Sequence, residues 1–138
     1  MVDFKLGTAV ELYSAAIALH PTAIYYSNRA AAHIKTESYG IAIKDATEAI
    51  ALDKTYCKAY YRRGSANLAL AHYKVALKDF KQVVRMNPKD KTARDKLKMC
   101  EKLMREAAFA SAIQSDNDIP VSESIDVESI GKAFYPCR

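Results

Sequence analysis

The sequence predicts an all-α fold built from a repeated pair of helices, and two observations carry that prediction. Gly and Pro are rare, with four of each in 138 residues, whereas half of the residues are hydrophobic. This composition favours helices joined by short turns over a disordered chain. In addition, similar residues recur at a fixed spacing of 34 positions. We therefore expect helix pairs stacked side by side.

The repeat is visible in residues of matching type that lie 34 positions apart. The matched pairs are Tyr26 and Tyr60, Arg29 and Arg63, Tyr39 and Tyr73, Ala42 and Ala76, and Asp45 and Asp79. Small residues such as Gly64 and Ala76 let two helices approach closely, and large residues such as Phe80 fill the space beside them. This period is typical of tetratricopeptide-repeat (TPR) arrays. The pattern predicts a TPR superhelix of antiparallel helix pairs, with complete repeats at 23–56 and 57–90.

Residues 1–22 are predicted to be the second half of a truncated first TPR, because Ala9 lies 33 positions before Ala42. Thr8 and Glu11 have the form of a capping box, which predicts a helix that begins near Ala9. The first helix of this repeat would precede Met1. We expect that side chains such as Leu12 are then partly uncovered, and that residues 1–20 fray or self-associate.

The other end of the chain is predicted to hold a capping helix at 91–113 and a flexible, linker-like tail at 114–138. Asp90 is suited to cap this helix after Pro88 ends the last repeat. An apolar stripe runs along the helix through Leu97, Cys100, Leu103, Met104, Ala107 and Ala108. Such a stripe predicts a terminal helix that covers the exposed face of the last repeat.

The composition excludes several classes of function. Cys57, Cys100 and Cys137 form no Cys-x-x-Cys pair, and the chain has no Gly-Asp or Asn-His pair of the metallophosphatase type. We therefore predict no catalytic residues, no metal site and no cofactor. No apolar run is long enough to span a membrane. We expect a protein of the cytoplasm, the nucleus or both.

A net charge of +5 favours anionic partners but does not choose among acidic peptides, phosphates and nucleic acid. The tyrosines follow the core positions of the repeat, so they do not indicate a stacking platform for nucleic acid. In a TPR array the first helix of each repeat lines a concave groove. Asn28, Lys58 and Arg62 fall on such helices, and together they suit the terminal carboxylate and acidic side chains of a peptide. Lys35 and Arg63 are further candidate groove contacts.

Three sequence runs carry a resemblance to a particular family: AIYYSNR at 23–29, KTESYG at 35–40 and KAYYRR at 58–63. They resemble the TPR domains of the serine/threonine protein phosphatase 5 family, and SIDVESI at 124–130 looks like the segment that leads into the phosphatase. The resemblance implies a carboxylate clamp for the acidic C-terminal tail of heat-shock protein 90, with Asn28, Lys58 and Arg62 at matching positions. It also implies an autoinhibitory contact at Glu37 with a phosphatase catalytic domain.

Three interpretations stay open at this stage. In the resembled family, a Lys and an Asn of the first helix complete the clamp, and both would fall before Met1. The loss of two charge-assisted hydrogen bonds would weaken binding by on the order of 100-fold to 10,000-fold. The chain is accordingly interpreted as a chaperone-binding module with a partial clamp, as a regulatory fragment that acts on a phosphatase domain, or as a truncated product without clamp activity.

Overall fold

The computed structural model describes residues 2–117, and side chains from residue 5 to residue 116. Six α-helices account for the regular structure of this part of the chain, as the sequence predicts. They are α1 (Val2–Leu19), α2 (Ala23–Lys35), α3 (Tyr39–Leu52), α4 (Cys57–Ala69), α5 (Tyr73–Met86) and α6 (Lys91–Asn117).

The helices pack in chain order as successive antiparallel pairs. Helix α2 packs against α3 and α4 against α5, while α3 contacts α4 and α1 contacts α2. Helices α2 and α4 also touch directly, although α3 separates them in the sequence. The core between the pairs consists largely of alanine, with Ala30, Ala42, Ala46 and Ala66 completely buried. Small side chains allow backbones to lie close together, which sets the spacing between successive repeats.

At Gly64, α4 approaches α5 closely. A Cβ atom at this position would lie 3.2 Å from Cβ of Asp79 and 3.2 Å from two ring carbons of Phe80. The Phe80 ring is completely buried and meets the ring of Tyr61 edge to face, with centroids 5.8 Å apart. Gly64 therefore occupies the small position of the repeat, as the pattern of small and large residues predicts.

The two turns inside the helix pairs share one backbone conformation. Glu37 and Ala71 have φ values of 60° and 61° and lie 34 positions apart. In each turn, the residue after the one with positive φ donates its backbone N–H to a carbonyl oxygen in the last turn of the preceding helix. Ser38 donates to His33 at 2.8 Å, and His72 donates to Asn67 at 2.9 Å. This is the Schellman arrangement, which usually places glycine at the left-handed residue.

The N-terminal helix begins earlier than the sequence predicts. The expected start near Ala9 is wrong, because α1 is already helical at Val2 and passes through Gly7 without interruption. A capping-box sequence marks the start of a helix only when no helix-forming residues precede it, and here they do. The outer face of α1 is uncovered, with Leu12 67% and Leu19 88% exposed.

The cap of the C-terminal helix is confirmed, but its end and its buried stripe are not as predicted. The Asp90 carboxylate accepts the N–H of Ala93 at 3.1 Å. Helix α6 continues past Ile113 to Asn117, and every residue from 105 to 116 is exposed, including Ala107 and Ala108. The stripe is covered only where a partner element lies beside it, as for Cys100, which is buried with Ala76 and Phe80.

The chain divides into two units, residues 1–104 and residues 105–138. The first contains the helix pairs and the beginning of α6, and of the second the structure describes only the end of α6, to residue 117. Most of the predicted tail at 114–138 thus lies outside the described residues. No described helix is both long enough and apolar enough to cross a membrane.

Candidate functional site

Two of the predicted groove residues line one cavity. Lys58 and Arg62, four residues apart on α4, share a face of that helix because an α-helix turns once in about 3.6 residues. They border a cavity of about 470 Å³ that also involves α5 and the first turn of α6. The remaining lining residues are Cys57, Tyr61, Val83, Asn87, Asp90 and Thr92. We call this space the α4 cavity.

The guanidinium of Arg62 is held at the junction of two repeats. Its Nη1 donates to the carbonyl oxygen of Ser27 at 3.4 Å and lies 3.3 Å from the Ser27 hydroxyl oxygen, both on α2. Ser27 is completely buried, so its position is set by the packing of α2. These are long hydrogen bonds of modest strength, and they leave the other guanidinium nitrogens available to a ligand.

Asn28 and Lys35 lie at a second, smaller space between α1 and α2. This cavity of about 180 Å³ is lined by Leu6, Ala9, Tyr13, Asn28, Ala31, Ala32 and Lys35. The structure thus groups Lys58 with Arg62 and Asn28 with Lys35. Arg62 of the first group contacts Ser27, and Ser27 directly precedes Asn28 of the second group in α2.

Arg63, the other candidate groove contact, lines neither of these two cavities. The side chain points away from the α4 cavity and makes two hydrogen bonds to Asp79 on α5, at 2.9 Å from Nε and 2.8 Å from Nη2. Asp79 is buried, and its acceptance of these bonds raises the pKa of the Arg63 guanidinium. Neighbouring residues of a helix differ by about 100° in direction, so Arg62 and Arg63 face different surroundings.

The same ion pair occurs one repeat earlier. Arg29 donates to Asp45 from Nε at 2.8 Å and from Nη2 at 2.6 Å, and the hydrogen bond raises the pKa of Arg29. His33 Nε2 lies 3.8 Å from the same carboxylate. Both Arg–Asp pairs bridge the two helices of a repeat, so they are part of the scaffold that positions the cavities.

The electrostatic character of the α4 cavity is mainly cationic. Lys58 and Arg62 contribute two positive charges, and Asp90 contributes one negative charge while it caps α6. Burial raises the pKa of the Cys57 thiol, and the nearby Asp90 carboxylate raises it further. A neutral thiol and two cations at one opening are suited to bind an anion by charge-assisted hydrogen bonds.

Several lining residues were not predicted from the sequence. Tyr61 could have been found, because it lies on α4 between the two predicted cations and shares their side of the helix. Val83, Asn87 and Thr92 come from later elements, and no local pattern links them to Lys58. Glu37, the predicted autoinhibitory residue, is exposed at the turn between α2 and α3 and lines neither of these two cavities.

Comparison with known proteins agrees with this architecture. The family model described as Tetratricopeptide repeat matches residues 58–90. Human serine/threonine-protein phosphatase 5 is 47% identical over 124 residues, which cover 88% of this chain and 25% of the relative. The chain therefore spans about a quarter of the length of this curated relative.

Two solved structures extend the comparison. The second TPR domain of human RPAP3, solved in complex with the HSP70 peptide SGPTIEEVD, is 37% identical with a TM-score of 0.66, and the match covers 71% of this chain and 85% of that one. The first TPR of Spaghetti, bound to the HSP90 peptide SRMEEVD, is 29% identical with a TM-score of 0.70, over 74% of this chain and 84% of that one.

The chain belongs to the tetratricopeptide-repeat family. Within that family it is similar to the TPR region of serine/threonine protein phosphatase 5, as the sequence runs at 23–29, 35–40 and 58–63 predict. In the described residues, no group of three or more His, Cys, Asp and Glu side chains is arranged to hold a metal ion.

Proposed function

We propose that this chain is a protein-interaction module that binds the acidic C-terminal peptides of heat-shock protein 90-type chaperones. The observation that carries the proposal is the α4 cavity, where Lys58 and Arg62 lie together at an opening between α4, α5 and the start of α6. A peptide that ends in Asp offers a terminal carboxylate and a side-chain carboxylate close together. Two cations on one helix face can each engage one of them.

Arg62 and Lys58 would make different contributions. The planar guanidinium can donate two parallel hydrogen bonds to one carboxylate, whereas the exposed ammonium of Lys58 acts as a mobile point charge. The contact with Ser27 limits the rotation of Arg62 before a ligand arrives, which reduces the entropy lost on binding. Asn28, next to Ser27, adds a neutral amide from the neighbouring repeat.

Two related TPR domains of known structure support an acidic peptide as the ligand. The peptides in the two solved TPR structures described above both end in Glu-Glu-Val-Asp. The relatives share 37% and 29% of aligned residues with this chain and cover most of its helix pairs. Action by binding, rather than by catalysis, follows from membership of a family of interaction modules.

Calorimetric titration with the peptide Met-Glu-Glu-Val-Asp tests the proposal. We expect micromolar-range binding that is lost when the peptide C-terminus is amidated, because amidation removes one carboxylate charge. Lys58→Ala and Arg62→Ala should each weaken binding by about tenfold or more, as expected for a charge-assisted hydrogen bond. Lys44→Ala on α3, an exposed lysine that lines neither cavity, is the matched control. No binding by a folded chain would overturn the proposal.

A second candidate function is regulation of a phosphatase catalytic domain, with Glu37 as one contact. It is favoured by the 47% identity to human serine/threonine-protein phosphatase 5, which covers 88% of this chain. Titration of the chain into an isolated catalytic domain of that enzyme tests it. A fall in turnover that Glu37→Ala relieves would support this function, and unchanged turnover at saturation would eliminate it.

We further propose that the chain works in the cytoplasm or the nucleus. Cys57 and Cys100 are both free thiols, and Cys100 is buried in the core, as is usual for proteins of reducing compartments. Microscopy of a fluorescent fusion would test this location. A signal confined to secretory compartments would contradict it.

A further inference from the structure

A third cavity lies beside another face of α4. It has a volume of about 650 Å³ and is bordered by α3, α4 and α5. Arg63 and Tyr60 form its α4 wall, Ile43 and Thr47 its α3 wall, and Val75 and Lys78 its α5 wall. None of these residues lines the α4 cavity. We call this space the convex cavity.

The two repeats differ at this place in one hydrogen bond. In the earlier repeat, Arg29 binds Asp45 through Nε and Nη2, and its Nη1 donates to the hydroxyl of Ser14 at 3.1 Å. In the later repeat, Arg63 binds Asp79 through the same two nitrogens. Thr47 holds the place of Ser14, and each hydroxyl donates to the carbonyl oxygen four residues earlier, Ser14 to Val10 and Thr47 to Ile43, both at 2.7 Å. Among the described residues, however, no hydrogen bond joins Nη1 of Arg63 to Thr47. The hydrogen bonds of Arg63 to Asp79 thus leave Nη1 available at the cavity.

The charge around the convex cavity is positive once the ion pair is counted as neutral. Asp79 is occupied by Arg63, and Lys78 is exposed without an ion pair in the described part of the chain. Lys74, Lys81 and Arg85 add further positive charge along α5. Beside these cations, Val75 is 48% exposed and Ile43 is half-buried, so the cavity has an apolar wall next to its donors.

We propose that the convex cavity is a second binding site, for an acidic segment within a partner protein. A Glu or Asp carboxylate accepts hydrogen bonds from Nη1 of Arg63 and from Lys78, in the place that the Ser14 hydroxyl holds one repeat earlier. An apolar residue next to it in the segment packs on Val75 and Ile43. This inference goes beyond the proposed function, because the site needs no free C-terminus.

A peptide fits this cavity better than a nucleic acid does. The Tyr60 ring carries the guanidinium of Arg63 at 5.8 Å from its centroid, and its hydroxyl donates to the carbonyl oxygen of Lys54 at 3.0 Å. The ring is therefore already engaged, whereas single-stranded nucleic acid binding relies on free aromatic faces for base stacking. The apolar wall also has no role in contacts with phosphate groups.

The test is an NMR titration of the ¹⁵N-labelled chain with acetyl-Glu-Leu-Glu-amide, which lacks a terminal carboxylate. We expect saturable shifts at the amides of Ile43, Thr47, Val75 and Lys78 and at the Nε–H of Arg63, with millimolar affinity. Lys78→Gln should weaken binding about three- to tenfold, the range expected for one partly exposed charge contact. Lys74→Gln, which removes an exposed lysine of the same helix outside the lining, should have a clearly smaller effect, because it changes only the surrounding charge and no direct contact.

Two further arms separate a specific site from general attraction. Replacement of the central Leu by Ser in the peptide should reduce affinity, because the apolar wall then loses its partner. Equal effects of Lys78→Gln and Lys74→Gln would show non-specific charge attraction and overturn the proposal. Shifts confined to Lys58 and Arg62, or no saturable shifts, would overturn it as well.

Discussion

Arg62 and Ser27 join two successive repeats: Nη1 of Arg62 on α4 lies 3.4 Å from the carbonyl oxygen of Ser27 on α2 and 3.3 Å from its hydroxyl oxygen. The contact spans 35 residues of sequence. It ties one of the proposed ligand-binding cations to the backbone of the preceding repeat. The direction of Arg62 at the α4 cavity therefore depends on the packing between repeats as well as on its own helix.

This relationship predicts a graded effect of mutation. Ser27→Ala removes the hydroxyl partner but keeps the carbonyl, so we expect a stability loss of about 0.5–1.5 kcal/mol, the usual range for one hydrogen bond. Peptide affinity should fall by less than tenfold, whereas Arg62→Ala should cost about tenfold or more. Denaturant unfolding and calorimetry measure the two effects. Ser65→Ala, at a half-buried position of α4, is the control, and an equal loss there would argue against a role for Ser27.

The Arg63–Asp79 pair is predicted to stabilise the last repeat. The Asp79 side chain is 5% exposed and that of Arg63 24%, so removal of the cation leaves a carboxylate buried without its partner. We expect Arg63→Ala to cost about 3 kcal/mol, the lower end of the range for buried pairs, because the guanidinium is partly solvated. A double-mutant cycle with Asp79→Ala, followed by denaturant unfolding, measures the coupling. Additive single-mutant effects would contradict it.

Gly64 and Gly40 are predicted to respond in opposite directions to added side chains. Gly64→Val should destabilise the chain by about 1–3 kcal/mol, because the Cβ atom alone would lie 3.2 Å from Phe80 and the branches lie further into the α4–α5 contact. Gly40 is helical, and a Cβ atom added there would meet nothing within 4 Å, so Gly40→Ala should stabilise by up to about 1 kcal/mol. Thermal unfolding measures both effects. Equal changes in Tm for the two variants would contradict the close packing of Gly64 against α5.

Cys57 is predicted to report peptide binding through its reactivity. Burial and the Asp90 carboxylate raise the pKa of its thiol, so at pH 8 the reactive thiolate is scarcer than for an ordinary cysteine. Alkylation by iodoacetamide should therefore be slow and should accelerate as pH rises through this elevated pKa. Because Cys57 lines the α4 cavity, bound Met-Glu-Glu-Val-Asp should slow the reaction further.

Mass spectrometry of a Cys137→Ser variant follows the labelling of Cys57 and provides an internal control at Cys100. The latter is buried beside Ala76 and Phe80 and does not line the α4 cavity, so peptide should not shield it directly. Equal protection of both thiols would indicate a global stabilisation of the fold. No protection of Cys57 at saturating peptide would place the ligand elsewhere.

Local patterns along the chain were sufficient to predict most of the fold. A 34-residue period, with small residues such as Gly64 and Ala76 at fixed places, predicts paired helices because close packing accepts only small side chains there. The position of Asp90 alone predicts a helix cap, since capping involves only the next few residues, and its carboxylate accepts the N–H of Ala93. The start of α1 at Val2 does not follow from the capping-box sequence, because that sequence does not require a helix to begin there.

The array of helix pairs, and Asn28, Lys58 and Arg62 as candidate ligand contacts, can be read from the order of residues along the chain. Tertiary packing determines which of the neighbouring cations faces the α4 cavity. Arg62 and Arg63 are adjacent in sequence, but Asp79, sixteen residues further on, takes up Arg63 while Arg62 borders the α4 cavity. Likewise Asn28 and Lys58 border different cavities. The reason is physical: a repeat period fixes the helix on which a residue lies, whereas partners from other helices determine whether its charge is already neutralised.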